Sequence, residues 1–409
     1  MKPFLWLCGC VVAACLAGAP VSAQPAVAGT VSFRAALDAA WQRAVAARES
    51  DGQRRRAEAE RIAAGSLWAA PPSLGLSHRD DRLHSNAGRR ETEVGVALPL
   101  WLPGQQAARA GAADAAAAQA QAAEQLALLR LAGELREAAW QIAALQAEAA
   151  QADTLVRSLR QLGDDVERRV RAGDLARADA LAAQADGLAA SALQSDVRQR
   201  LQAARARWTL LTGLTAVPDL TATTAIEVAP ATAAPHPELQ LASQSTALAR
   251  KRVALMRVSR RDAPELSVGL RQDMPGRAEA SQRSLVVGLR LPFGTDDRNR
   301  PLEAAALTEL DVAETHELRL RERLDSDAAA ARDAQRTAEA QLDAEAARAR
   351  LLRERASLID KSFRAGETPL PGLLRALAAA AQADSAVARQ TAALGLAHAR
   401  LQQALGLFP

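Results

Sequence analysis

PPSLGLS at 71–77 and APELSVGL at 263–270 are two versions of one short text. In each, a proline is followed by apolar residues at every second position: Leu74 and Leu76 in the first, Leu266, Val268 and Leu270 in the second. Period-two alternation marks a strand with one apolar face. A second alternating run follows each, Val94, Val96 and Leu98 in one, Leu285, Val287, Leu289 and Leu291 in the other. Two hairpins are therefore expected, with strands near 72–79 and 91–100 and near 264–272 and 283–293. The charged stretches between them, His78 to Arg90 and Gln272 to Arg283, suit exposed loops.

Pro71 precedes Pro264 by 193 residues, and the same offset carries Pro99 to Pro292, Arg171-Ala172-Gly173 to Arg364-Ala365-Gly366, and Gly213-Leu214 to Gly406-Leu407. It also places Arg43 on His236, each in a helical stretch that enters its half. A register kept over about 170 residues identifies a tandem duplication of one supersecondary unit. The first copy spans 24–214, a linker rich in Ala, Thr and Pro spans 215–235, and the second copy spans 236–409.

After each hairpin comes a proline-marked exit, Pro99 to Pro103 and Pro292 to Pro301, and then about 60 residues of helical pattern, roughly 90 Å of helix. Long helices are expected at 104–162 and 301–363, with return helices at 174–213 and 369–405. In the first copy Leu128, Leu131, Leu135, Ala138, Ile142, Leu145, Ala149, Ala152, Val156 and Leu159 alternate in steps of three and four. This is a heptad seam, the pattern of a left-handed coiled coil. The second copy keeps Leu324, Ala328, Ala331, Ala338, Leu342, Ala349 and Leu352 but interrupts them with Arg321, Gln335 and Glu345. The two copies share a shape and differ in neighbours.

The 409 residues carry a formal charge of +4 spread through both signs, which excludes a nucleic-acid surface. Aromatics are 3% and Tyr is absent, a composition that builds slim helix seams better than a thick core. His78, His84, His236, His316 and His398 are scattered without metal-ligand spacing, and no nucleophile elbow or phosphate-cradling loop occurs. Neither an enzyme nor a cofactor or metal site is expected.

Residues 1–23 read as a secretory signal peptide: Lys2, an apolar run from Phe4 to Ala19, Pro20, and small Val21 and Ala23 before Gln24. All three cysteines, Cys8, Cys10 and Cys15, fall inside it. Two processing routes are open. Cleavage after Ala23 leaves a mature chain without thiols; alternatively Val12-Ala13-Ala14-Cys15 resembles a bacterial lipobox, which would make Cys15 a lipidated terminus.

Four amphipathic strands cannot close on themselves, so a single sheet would keep two bare edges. Pooling strands from three chains gives about twelve, a number that encloses an open lumen. Trp68, Trp101 and Phe293 sit just outside the strand ends. Either a membrane-interface belt or ordinary junction packing accounts for them.

These features, with VGVALPLW at 94–101, VGLRLPF at 287–293, HPEL at 236–239, RAGD at 171–174, FRAGE at 363–367, LLTGL at 210–214 and ALGL at 404–407, give a chain that resembles the TolC-type outer-membrane efflux channels of Gram-negative bacteria. The resemblance covers nearly all of Ser32 to Leu407. It implies a mainly α protein with a small membrane β part: a homotrimer with a twelve-stranded β-barrel in the outer membrane, continued by a periplasmic α-helical coiled-coil tunnel. The chain would be the exit duct of a tripartite pump, docked to a periplasmic adaptor and an inner-membrane transporter of the RND type. The compact length is similar to the heavy-metal and cation branch. A soluble periplasmic coiled-coil scaffold and the duct of a type I protein secretion system are the alternatives.

A duct works through a wall, a gate and a docking tip. The gate is expected where the helical hairpins turn, around Gln161 to Asp179 and Lys361 to Arg375. In the family, carboxylates often ring the tip six and nine positions beyond the second turn glycine, but Gly372 and Arg375 stand there in this chain. Asp164, Asp165, Asp174, Asp179 and Glu367 remain as tip acids, each also readable as a solvated helix-end charge. Adaptor docking would use the turns at Arg171, Gly173, Arg364 and Gly366, whose glycines also serve as helix caps.

Overall fold

The computed structural model describes residues 31–220 and 235–408. The expected signal segment with Cys15, and most of the expected linker, lie outside the described residues. The first copy runs α1 (Phe33–Arg43), α2 (Val45–Ala64), β1 (Ser73–Asp80), β2 (Arg90–Pro99), α3 (Gln105–Ala172) and α4 (Arg177–Thr212). The second runs α5 (Pro237–Val258), β3 (Glu265–Met274), β4 (Gln282–Arg290), α6 (Asp296–Arg364) and α7 (Leu370–Ala404). Adding 193 to the bounds of α2, β1, β2, α3 and α4 lands within two residues of their second-copy counterparts at every end.

The long helices run further than the sequence pattern predicts. Helix α3 continues through Gly163 to Ala172. A glycine inside a helix costs about 1 kcal/mol against alanine, and burial of Val166 beyond it offsets that cost. Helix α6 begins at Asp296, ahead of Pro301. The proline falls in the first two turns, where Asp296 and Asp297 favour the helix start through the macrodipole.

Seen from one end to the other, the molecule is a strip four elements wide with α1 laid over its middle. The sheet has the order β1-β2-β3-β4, all antiparallel. Behind it α2 packs on α3, α3 on α5 and α5 on α6; towards the turns α4 packs on α3, α3 on α7 and α7 on α6. Among the described residues the outer members never meet, so β1 and β4, α2 and α6, and α4 and α6 all present free edges.

The largest core lies midway, where α1 lays Phe33, Ala36, Leu37 and Ala40 over Leu135, Ala139 and Ile142 of α3 and Trp208 of α4. Ser32 starts α1 by accepting the Ala35 N–H at 3.1 Å, and the Trp208 indole donates to the Ala216 carbonyl at 3.0 Å. The expected seam of α3 is buried from Leu135 to Leu159, whereas Leu128 and Leu131 are half-buried and Leu126 and Leu129 take the core. The end of α7 docks on this part of α3, where Gln403 lies against Leu129.

Candidate functional site

The sheet divides its residues into two continuous faces. Pairing sets Leu74 opposite Val96 and Val96 opposite Val268, and then Val268 opposite Val287. One rung away, Leu76, Val94, Leu270 and Leu285 line up in the same way. All eight side chains are exposed, from Val268 at 40% and Val96 at 41% up to Leu76 at 72% and Leu74 at 75%. Roughly 25 cal/mol is lost for each Å² of apolar surface left in water, so an apolar face of this extent marks a contact surface.

The opposite face is polar, with glycines at its middle. Gly75 pairs with Gly95, and Gly95 with Gly269. A Cβ on Gly269 would lie 2.9 Å from the Val94 carbonyl oxygen and 3.0 Å from Gly95 Cα, whereas one on Gly75 would have 3.8 Å of clearance. The glycines let β2 and β3 approach closely on this side. Beyond the glycine row the same face carries Glu91, which takes Arg271 at 3.0 Å and Arg79 at 3.7 Å. The two loops at this end are tied together, since Arg277 donates to both the carbonyl and the side-chain oxygen of Asn86 at 2.9 Å. Asp81 organises its loop by accepting from Ser85, Ala87 and Gly88. Loss of water pushes its carboxyl upward, but the hydrogen bonds outweigh that and hold it below the usual carboxylate range.

At the other end both turns are built alike. Gly173 has φ +88° and Gly366 φ +80°. Gly173 N donates to Val170 O and Asp174 N to Arg169 O; Gly366 N donates to Phe363 O and Glu367 N to Ser362 O. Each turn is thus a Schellman cap that only glycine closes without strain. Between the turns Val156, Leu159 and Val166 of α3 meet Leu370, Leu373 and Leu374 of α7, and Arg169 lies over the Phe363 ring at 5.0 Å.

The residues singled out in the sequence are distributed around this tip without converging on one point. Asp165 is engaged by Arg168 and Arg169, both at 3.1 Å. Asp179 accepts from the Ala176 N–H at 3.2 Å and so caps α4. Arg375 is exposed on α7 and donates back to the Pro371 carbonyl at 3.1 Å. Asp164, Asp174, Glu367, Arg171 and Arg364 are exposed at or beside the turns. Near the strand ends, the Trp101 indole donates to Ser66 O at 3.0 Å and lies under Arg109, while Phe293 is 84% exposed. Trp101 is therefore a packed junction residue, and Phe293 is left free.

Sequence reasoning missed one buried charge. Arg136 of α3 is 2% exposed and donates to Gln403 Oε1 and the Leu407 carbonyl, both at 2.8 Å. Gln403 in turn donates to Leu129 O at 2.9 Å, so the end of α7 is clamped onto α3. Burial pulls the guanidinium down from its ordinary value to about 10. The signal available was an arginine inside the leucine run of α3, one position after Leu135.

Among the described residues no group of three or more His, Cys, Asp or Glu is placed to hold a metal ion. No described helix is long and apolar enough to cross a membrane. The same strip, a small sheet followed by paired long helices, is the fold of solved outer-membrane channels. Solved channels share it over nearly their whole length. CusC, whose structures concern transmembrane channel formation, superposes with a TM-score of 0.75 at 14% identity, covering 93% of each chain. The MtrE outer-membrane channel of Neisseria gonorrhoeae gives 0.73 at 15% identity, covering 92% of this chain and 89% of its own. The outer-membrane protein VceC of Vibrio cholerae gives 0.70 at 14% identity, covering 91% and 96%. No protein-family model and no curated protein matches the sequence.

Proposed function

We propose that this chain is the outer-membrane exit duct of a tripartite export system, a passive conduit with no catalytic chemistry of its own. The observation that carries the reading is the exposed apolar face of a sheet with two bare edges. In a bilayer every backbone N–H and C=O must be paired, so such a sheet is stable only when further strands complete a barrel. Three copies supply about twelve strands, set the leucine rows against lipid and enclose the polar glycine-lined face as a lumen. The helical strips, open at matching edges, continue the same closure as a tunnel into the periplasm.

On this reading the sheet end faces outward and the Schellman turns face inward. The turns at Arg171, Gly173, Arg364 and Gly366 would dock a periplasmic adaptor, which in turn joins an inner-membrane transporter of the RND type. Capped turns make rigid tips, which supports that role. Asp164, Asp174, Glu367 and Arg375 would set the charge at the tip, where small solutes or metal cations enter. Fractionation of envelopes tests the proposal: the protein is expected in the outer-membrane fraction, resistant to salt and alkaline washing. Release by osmotic shock would overturn it in favour of a soluble scaffold.

A further inference from the structure

Each half of the chain closes on a glycine that lies against the residue entering that half. Gly213 follows α4 with φ +76° and Gly406 follows α7 with φ +71°, and the 193-residue offset relates the two. The same offset relates Arg43 to His236. A Cβ on Gly213 would lie 3.4 Å from Arg43 Nη1, and one on Gly406 would lie 2.7 Å from His236 Cδ2 and 2.9 Å from Pro237 Cδ. The contact is thus built twice, on a backbone turn that glycine closes without strain. Its side chain differs. Arginine stays charged at any physiological pH, whereas an imidazole can gain a proton.

His236 also starts the helix that follows it. It is the N-cap of α5, and its Nδ1 accepts the Glu238 N–H at 3.1 Å. A neutral imidazole that accepts at Nδ1 carries its single proton on Nε2. Protonation turns Nδ1 into a donor, so the Glu238 N–H loses its acceptor and a positive charge is left at the positive end of the helix dipole. The first copy holds no such group, because α2 starts at Ala44 without a side-chain cap. The charged residues around His236 do not compensate. Glu238 is taken by Arg323 of α6 at 2.6 Å, and Asp327 lies 3.8 Å from the same guanidinium. On the α7 side Arg136 of α3 holds the Leu407 carbonyl at 2.8 Å, one residue from Gly406. Among the described residues His236 forms no ion pair.

We infer that His236 is a proton-operated latch: as the neutral imidazole it fastens the start of α5 against the closing turn of α7, and as the imidazolium it lets both go. The closed latch excludes the proton that the loosened form accepts, so it holds at neutral pH and is lost as the solution is acidified. What loosens is local. Helix α5 packs on α3 and α6, so its first turn frays while Leu248 and Val253 further along stay buried. The matching contact of Arg43 with Gly213 keeps its charge state throughout and stays shut. All parts of the latch lie in one chain, whether or not three copies enclose a duct.

Hydrogen exchange of the native protein, read by mass spectrometry on peptides covering 237–245 and 404–408, tests this. Protection, corrected for the intrinsic rate at each pH, is expected to fall roughly fivefold in both peptides between about pH 7.5 and about pH 5.5, the worth of one helix cap across the histidine range. Peptides covering the first-half equivalents, 44–52 and 211–215, should keep theirs. His236→Asn retains an acceptor but takes no proton, so its protection should match the neutral parent at both pH values. His236→Ala should show low protection at both. A parent whose second-half peptides do not respond to acid overturns the latch, and so does an equal fall in the two halves or an Asn variant that keeps the parent's response. Sedimentation of the same samples reads the oligomeric state separately, so a monomer there would count against the duct and not against the latch.

Discussion

Helix α3 buries sixteen residues and α6 six, although the two are copies of one another. The difference follows from neighbours. Helix α3 sits inside the strip, with α2, α4, α5 and α7 against it, while α6 is an outer member touched, among the described elements, by α5 and α7 only. Position by position the sequence tracks this. Leu135, Ala139 and Ile142, covered by α1, become Ala328, Arg332 and Gln335, and buried Trp208 becomes Leu401. The second-copy positions equivalent to α1 fall mostly in 221–234, outside the described residues. A duplicated unit has thus specialised into a core-forming half and an edge-forming half, and an edge that stays amphipathic is what a neighbour requires.

The widest gap between the halves is expected at one equivalent pair. Ile142→Ala, at a site with no exposure, should cost about 2–5 kcal/mol by denaturant unfolding. Gln335→Ala, half-buried and bonded to His398, should stay within about 1 kcal/mol. Equal losses would break the comparison. Arg136→Met should cost about 2–3 kcal/mol, because Gln403 and the Leu407 carbonyl lose a charged donor. Faster amide exchange confined to the last turn of α7 would show that the clamp is the cause.

The sheet offers a second pair. Gly269→Ala must push against the Val94 carbonyl and should cost about 1–3 kcal/mol. Gly75→Ala, in the same row but with room for a methyl, should leave heat resistance of the assembled protein unchanged. Similar effects from the two would mean that the close approach of β2 and β3 does not matter to stability.

The smallest effect concerns Asp153, which braces α3 to α4 through Gln194 at 2.7 Å and Arg198 at 2.9 Å. Its second-copy equivalents are Ala346, Val387 and Thr391, so only the first copy has this brace. The Gln194 hydrogen bond and, after the opposing loss of water, Arg198 hold the carboxyl below its ordinary 3.8. The unfolded chain therefore takes up its proton first, and the contribution is present above about pH 4 and lost as pH falls below it. Thermal midpoints of the parent and Asp153→Asn should differ slightly at pH 7 and converge near pH 3.

Much of this architecture was legible because repetition survives divergence. The prolines, the Gly173 and Gly366 turns and the alternating strands kept their offset, and backbone requirements such as positive φ tolerate few substitutes. The heptads read correctly from Leu135 to Leu159, where the expected positions are buried. They misread Leu128 and Leu131, because periodicity reports that a face is buried but cannot say which of two docking helices decides the phase. The tip acids were visible as charges, yet the engagement of Asp165 by Arg168 and Arg169 and the capping role of Asp179 depend on local geometry. Arg136 was hidden for a related reason: an arginine beside a leucine seam reads as a solvated face until the opposing helix end is known.

The central claim is that one chain is a third of a closed cylinder. Native mass spectrometry of protein extracted from membranes in mild detergent tests it most directly. A single species of three mature chains is expected, and a monomer that stays folded without detergent would contradict the account.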